Sequence, residues 1–220
     1  MDWLLDQGLD INRGGNASRQ GARGRVYRDN TVAVLNETAK YGDIELFDYL
    51  VARGASPSKS NALHYAALCK DQAKVVAMIT HLVDTYHLDV DGNEECGGLN
   101  ELIKGDSLLY PLDYAVSPLG TIPAAEILLR KGAKIGDAWA TAIKYKQAPA
   151  LKLLLDAGAD ASKALVYTLD QDDLEGAKIC IKYGGDIARA ELRDKERTDD
   201  TTFIYNGMSD EMRKLLDEYK

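Results

Sequence analysis

A short phrase of two apolar residues, two mostly polar residues and a glycine recurs along the chain. Its copies are Leu4-Leu5-Asp6-Gln7-Gly8, Leu50-Val51-Ala52-Arg53-Gly54, Leu128-Leu129-Arg130-Lys131-Gly132, Leu154-Leu155-Asp156-Ala157-Gly158 and Cys180-Ile181-Lys182-Tyr183-Gly184. Apolar residues at helical spacing precede the copies, as Ile44, Phe47, Leu50 and Val51 do in the second. The closing glycine suits the left-handed φ of a helix C-terminus, so each phrase predicts a helix end. The stretch from Val83 to Val90 fits the same frame with His87 in the glycine place, a weakened sixth copy.

Each of these helices has a shorter apolar partner upstream, closed by a polar break. The partners are Thr31 to Tyr41 before Gly42-Asp43, Ala62 to Leu68 before Lys70-Asp71, Pro111 to Val116, Ala138 to Tyr145 and Ala164 to Leu169. Two helices per unit, the second closed by glycine, is the predicted repeat. Such a unit cannot bury its apolar face alone and must stack on its neighbours.

At this point the residues resemble the ankyrin-repeat family, whose first helix opens Thr-Pro-Leu-His-x-Ala and whose second ends Leu-Leu-x-x-Gly-Ala-Asp. Asn61-Ala62-Leu63-His64-Tyr65-Ala66-Ala67 and Tyr110-Pro111-Leu112-Asp113-Tyr114-Ala115 carry the first half; Gly54-Ala55, Gly132-Ala133 and Gly158-Ala159-Asp160 carry the second. Asn36 to Leu50, with Gly42, looks like the family's inter-helix turn. The resemblance covers roughly residues 1 to 188 and implies an all-α ankyrin-type solenoid of about six to seven helix-turn-helix units, with a few hairpin and loop insertions. It implies recognition of another protein, without chemistry, on a concave face of first helices and hairpins. His64 matches the family's motif histidine, whose role there is to hydrogen-bond neighbouring turns.

The spacing departs from the family period of about 33 residues. Gly8 to Gly54 is 46 residues, whereas Gly132 to Gly158 and Gly158 to Gly184 are 26 each. The expected organisation is a single domain. Residues 1–12 form a partial first repeat, 13–30 an Arg/Gly-rich insertion, 31–188 the repeats, 189–200 a polar connector and 201–220 a C-terminal cap. In the connector Ala190 and Leu192 are the only apolar residues; in the cap Phe203, Ile204, Met212, Leu215 and Leu216 form the apolar face. The long early spacings place recognition in the first two thirds, with the last units as support. The chain opens inside a second helix, so it is expected to be a fragment of a longer array or to leave an apolar end face open. On such a face Trp3 would contact a second copy of the chain; a frayed tail is the alternative.

Composition narrows the classes. Hydrophobic content of 45% and charged content of 28% are globular values. No apolar run approaches the roughly 18 residues of a membrane span, and the N-terminus has neither the basic region nor the apolar core of a secretory signal. Three scattered cysteines, Cys69, Cys96 and Cys180, argue for reduced thiols and a cytoplasmic or nuclear address. The net charge is −8, yet Arg13, Arg19, Arg23, Arg25 and Arg28 against Asp29 give the insertion +4, leaving −12 elsewhere. Such a finger has the chemistry to grip phosphates or an acidic partner; a plain polar loop is the other reading, and nucleic acid is the less favoured partner of the two.

Other chemistry finds little support. Asp89, Asp91, Asn93 and Glu95 alternate as in a calcium loop, but Glu94 stands where the sixth-position glycine belongs and Asn100 where the bidentate acid belongs. His81, His87 and Cys96 lack the close pairs of a zinc site. No cofactor or metal is expected. His64 and Asp113, with Tyr65 and Tyr114, offer an acid–base pair on adjacent first helices, the basis of an alternative reading as a small-molecule enzyme, though no nucleophile motif accompanies it. The expected contact residues are Arg23, Arg25 and Tyr27 on the insertion and Tyr65, Tyr110, Tyr114, Trp139 and Tyr145 beyond, since aromatic residues and arginine dominate interface energetics.

Overall fold

The computed structural model describes residues 3, 6–13, 19–20, 26–27, 32–93, 110–199 and 208–220. Among them the chain is helical apart from a two-residue antiparallel ladder, β1 (Arg19–Gln20) with β2 (Val26–Tyr27), in which Arg19 faces Tyr27 and Gln20 faces Val26. The helices are α1 (Ala33–Tyr41), α2 (Ile44–Ala52), α3 (Ala62–Ala66), α4 (Gln72–Asp84), α5 (Pro111–Val116), α6 (Ile122–Arg130), α7 (Ala138–Lys144), α8 (Ala148–Asp156), α9 (Ala161–Asp170), α10 (Leu174–Lys182), α11 (Ile187–Asp199) and α12 (Asp210–Glu218). They form consecutive pairs, α1/α2 through α11/α12.

The chain divides into two compact units, one of Met1–Ala115 and Leu119–Lys134, the other of Val116–Pro118 and Ile135–Lys220. In the first, α1 packs on its partner α2 and on the next first helix α3, while the second helices α4 and α6 pack on each other. Phe47, Leu50, Met78, Ile79, Leu82 and Leu128 are fully buried there, each burial contributing about 1.5–3 kcal/mol. In the second unit the first helices α7, α9 and α11 stack in order, and so do the second helices α8, α10 and α12. Ile143, Leu151, Leu154, Leu165, Cys180 and Leu216 fill that core. Stacking like on like is what a helix-pair repeat requires.

The glycine phrases end helices as their pattern predicts. Gly8, Gly54, Gly132, Gly158 and Gly184 all lie at φ between +81° and +99°. After four of them the next residue's N–H bonds a carbonyl five residues back: Ala55 to Leu50, Ala133 to Leu128, Ala159 to Leu154 and Gly185 to Cys180. The left-handed residue thereby satisfies carbonyls that the helix end leaves open. His87 takes the same conformation, φ +54°, in the glycine place of the weakened copy.

A second series of left-handed residues turns three first helices, α1, α7 and α9, into their partners: Gly42 at φ +67°, Lys146 at +53° and Asp172 at +46°. Aspartates cap three of the second helices, Asp43 accepting from the Leu46 N–H, Asp71 from Ala73 and Lys74, and Asp173 from Gly176. Short polar side chains also staple one loop to the next. Asn12 donates to the Gly54 carbonyl and accepts from the Ser56 N–H, both at 2.8 Å. The buried Asn36 carbonyl accepts from the Asn61 N–H at 2.8 Å, Asp91 from Lys134 at 2.8 Å and Ser162 from Asp186 at 3.1 Å.

The polar stretch 189–200 differs from the expected connector: through Asp199 it is the body of α11. Among its described side chains Ala190 is the buried one and lies against α9, and the rest of its described surface is polar or half-exposed. The last described pair is α11/α12, with Ser209 capping α12. Phe203 and Ile204 lie outside the described residues. No described helix is long and apolar enough to cross a membrane.

Candidate functional site

An open cleft lies in the second unit, along the face of α9 and α11. Asp160 caps α9 by accepting from the Ser162 and Lys163 N–H groups. Ala164, Leu165, Thr168 and Leu169 then point into the core. The 3.6-residue period leaves Lys163, Val166, Tyr167 and Asp170 on the opposite face. Twenty-six residues on, the same positions of α11 are Arg189, Leu192, Arg193 and Glu196. These eight residues and Trp139 of α7 line a cleft of about 450 Å³, within the range of ligand and peptide sites.

Its floor is aromatic. Trp139 and Tyr167 meet edge to face, ring centroids 5.7 Å apart at 83°, the geometry their quadrupoles favour. Burial, and secondarily the charge of Asp170, push the Tyr167 phenol above its ordinary pKa. Leu192 forms the lip and is 58% exposed. Arg193 pairs with Glu196 at 3.1 Å, both half-exposed. Lys163 and Arg189 are exposed at the N-terminal ends of their helices.

Of the expected contact residues, Trp139 alone lines this cleft. Tyr145 is half-buried, and that burial raises its phenol pKa. Tyr65 is half-buried, and Tyr110, 40% exposed, stands at the start of α5. Tyr114 is fully buried and touches the His64 ring edge at 5.5 Å; it belongs to the core of the first unit and not to an exposed contact surface. Tyr27 has its backbone in the ladder with Arg19, while its side chain, Arg23, Arg25 and Cys96 lie outside the described residues. Trp3 is 69% exposed beside Gly8. Tyr167, Leu192 and Arg189 were not singled out from the sequence. The available signal was the 26-residue period, which aligns Lys163 with Arg189 and Val166 with Leu192.

The first unit spends its polar first-helix residues differently. His64 is 4% exposed. Asp113 accepts from the Tyr110 N–H at 3.1 Å, the back-reaching arm of a capping box. A polar cleft of about 360 Å³ reaches His64 past Ser58, Ser60, Asn61, Asp89 and Asn93. Among the described residues its lining does not include Asp113, so the acid–base pair is not gathered in one pocket. Asp91, one arm of the imagined calcium loop, is engaged with Lys134 through the backbone N–H and, at 3.4 Å, the ammonium.

On the second helices, Asp48 accepts from Tyr86 Oη at 2.6 Å and pairs with His81 Nε2 at 2.7 Å. Thr85 Oγ1 sits 3.2 Å from His81 Nδ1. Burial pushes the Asp48 carboxyl up, but the bonds from Tyr86 and His81 and the nearby histidine charge outweigh it, leaving its pKa below the ordinary value. Burial and the Asp48 carboxylate push Tyr86 up to about 12. The cluster ties α2 to the end of α4; His81 is thereby a structural ligand of Asp48.

No family model matches the chain, and no curated protein matches it significantly. Among solved structures, the ankyrin repeat domain of Bcl-3, described as a unique member of the IkappaB protein family, is similar with a TM-score of 0.55 at 16% identity, covering 85% of this chain and 79% of that one. The ankyrin repeat domain of human ASB11 aligns with a TM-score of 0.45 at 19% identity, covering 84% of this chain and 97% of that one. The likeness to the Bcl-3 domain and the all-helical architecture give the fold as an all-α ankyrin-type solenoid, as the sequence resemblance implies.

Proposed function

We propose that the chain is a non-catalytic protein-interaction module whose partner lies against the first-helix face of the second unit, over Trp139, Tyr167 and Leu192. One observation carries the reading. An edge-to-face aromatic pair and an exposed leucine share an open cleft with Lys163, Arg189 and Arg193. Half-buried aromatics beside arginine are the residue types that anchor interfaces. The ankyrin fold adds to this, since its curved stacks present extended surfaces for recognition.

The test compares two immobilised full-length chains, wild type and Tyr167→Ala/Leu192→Ala, for the polypeptides they retain. A partner held by the wild type should be lost at least tenfold by the double variant, with both chains cooperatively folded at the assay temperature. Equal retention by both would remove this face as the site.

A further inference from the structure

The 26-residue register that builds the cleft also gives it a direction. Lys163 and Arg189 occupy one position in consecutive repeats, Val166 and Leu192 the next, Tyr167 and Arg193 the one after, and Asp170 and Glu196 the last. Cations therefore stand at one end of the cleft, apolar and aromatic groups in the middle and carboxylates at the other end. Seven residues of helix separate the two ends, about 10 Å at 1.5 Å per residue. The cationic end is the stronger one. Arg193 answers part of the opposite end by pairing with Glu196, whereas neither Lys163 nor Arg189 makes an ion pair among the described residues.

We infer that the partner is a linear peptide segment carrying an acidic residue, then an apolar anchor, then a basic residue, laid along α9 and α11 with its acid over Lys163 and Arg189. This rests on the reading of the cleft as a partner site and goes beyond it by fixing the chemistry and direction of the occupant. An extended chain rises about 3.3 Å per residue, so charges about 10 Å apart correspond to an acid and a base about three residues apart, with the anchor between them over Trp139, Tyr167 and Leu192. The acid is the stronger requirement, because among the described residues the cations it meets make no competing ion pair. In a chain of net charge −8, a cation-led cleft also stands apart from the general surface, which repels acidic segments. Charge steering of this kind sets orientation and selects against wrong partners more than it adds raw affinity.

The probe is a displayed library of random linear peptides, selected on the full-length chain and separately on Lys163→Glu/Arg189→Glu. Both positions are exposed, so the charge reversal leaves the core untouched. Wild-type selection is expected to enrich an acid about three residues from a base with a large apolar residue between. Individual winners should lose at least tenfold on the charge-reversed chain, and selection on that chain should return a basic residue where the acid stood. Winners that bind both chains equally but lose affinity to Tyr167→Ala/Leu192→Ala would overturn the charge assignment and leave the partner site standing. Winners indifferent to both sets of substitutions, or a selection that yields none, would overturn both.

Discussion

The first helices of the two units are built on one frame and use it in opposite ways. In the first unit the polar residues of that layer turn inward: Asn36 is buried against the Asn61 N–H, His64 against Tyr114, and Asp113 caps α5 through Tyr110. In the second unit the inward positions of α9 are Ala164, Leu165, Leu169 and Thr168, whose hydroxyl bonds the Leu165 carbonyl, and the charged and aromatic residues face out around the cleft. A polar side chain committed to a buried backbone partner contributes stability and is withdrawn from recognition. The same repeat thus has a structural half and a presenting half, and substitutions in the two should separate stability from binding.

The largest expected separation compares Asn36 with the cleft. Asn36→Ala leaves the buried Asn61 N–H without its acceptor and should cost about 1–3 kcal/mol, read as a lowered urea midpoint with unchanged slope. Tyr167→Ala/Leu192→Ala should instead cost about 2 kcal/mol of binding, as an interface anchor does, while Leu192→Ala alone leaves stability within about 0.5 kcal/mol because its side chain is exposed. If Asn36→Ala were harmless to folding, or the cleft pair were the more destabilising change, the division would fail.

The turns between paired helices sharpen the comparison at one shared position. Gly42→Ala in the first unit should cost about 1–2 kcal/mol from the left-handed backbone alone, and its new Cβ would lie 2.7 Å from Lys74 Cβ. Lys146→Gly in the second should gain a fraction of that, roughly 0.5 kcal/mol, since a non-glycine residue already bears the strain there. Asp172→Gly should gain less, because the Asp172 carboxylate accepts from Ser209 Oγ at 2.7 Å. Thermal melts of the three variants rank these effects.

The smallest effect is in acid. Asp48 has a folded pKa below the ordinary carboxyl value of 3.8, so its contribution is present above that pH and is lost as pH falls through the folded value. Asp48→Asn should therefore lower stability at neutral pH and flatten the acid limb below about pH 4. Parallel acid-unfolding curves for the two chains would contradict this assignment.

How much of this the sequence disclosed follows from what each feature depends on. The glycine phrases are local, since a left-handed helix end needs glycine or pays in strain, and all five mark such ends. His87 was legible in the same way, by holding the glycine's place in the frame. Tyr114 was misplaced because a tyrosine on a short first helix fits core and surface alike; its contact with His64 is a long-range fact. The 189–200 stretch reads as connector because its apolar content is low, yet burying Ala190 against α9 goes with a helix through Asp199. The cleft itself was missed for a related reason. Its residues look ordinary one helix at a time and become a site when two repeats are laid in register, and Leu192 stands in the sequence as one of two apolar residues in a polar stretch.

The central claim rests on the cleft being the place of contact, and Trp139 reports on it directly. The chain has two tryptophans, so Trp3→Phe leaves Trp139 as the single indole. In a ¹⁵N-labelled Trp3→Phe chain titrated with a peptide selected on the wild type, the Trp139 side-chain N–H resonance should shift and saturate at the same concentration as bulk binding. It should stay in place when Tyr167 and Leu192 are both alanine. A Trp139 resonance that does not move while the peptide saturates the wild-type surface would contradict the account.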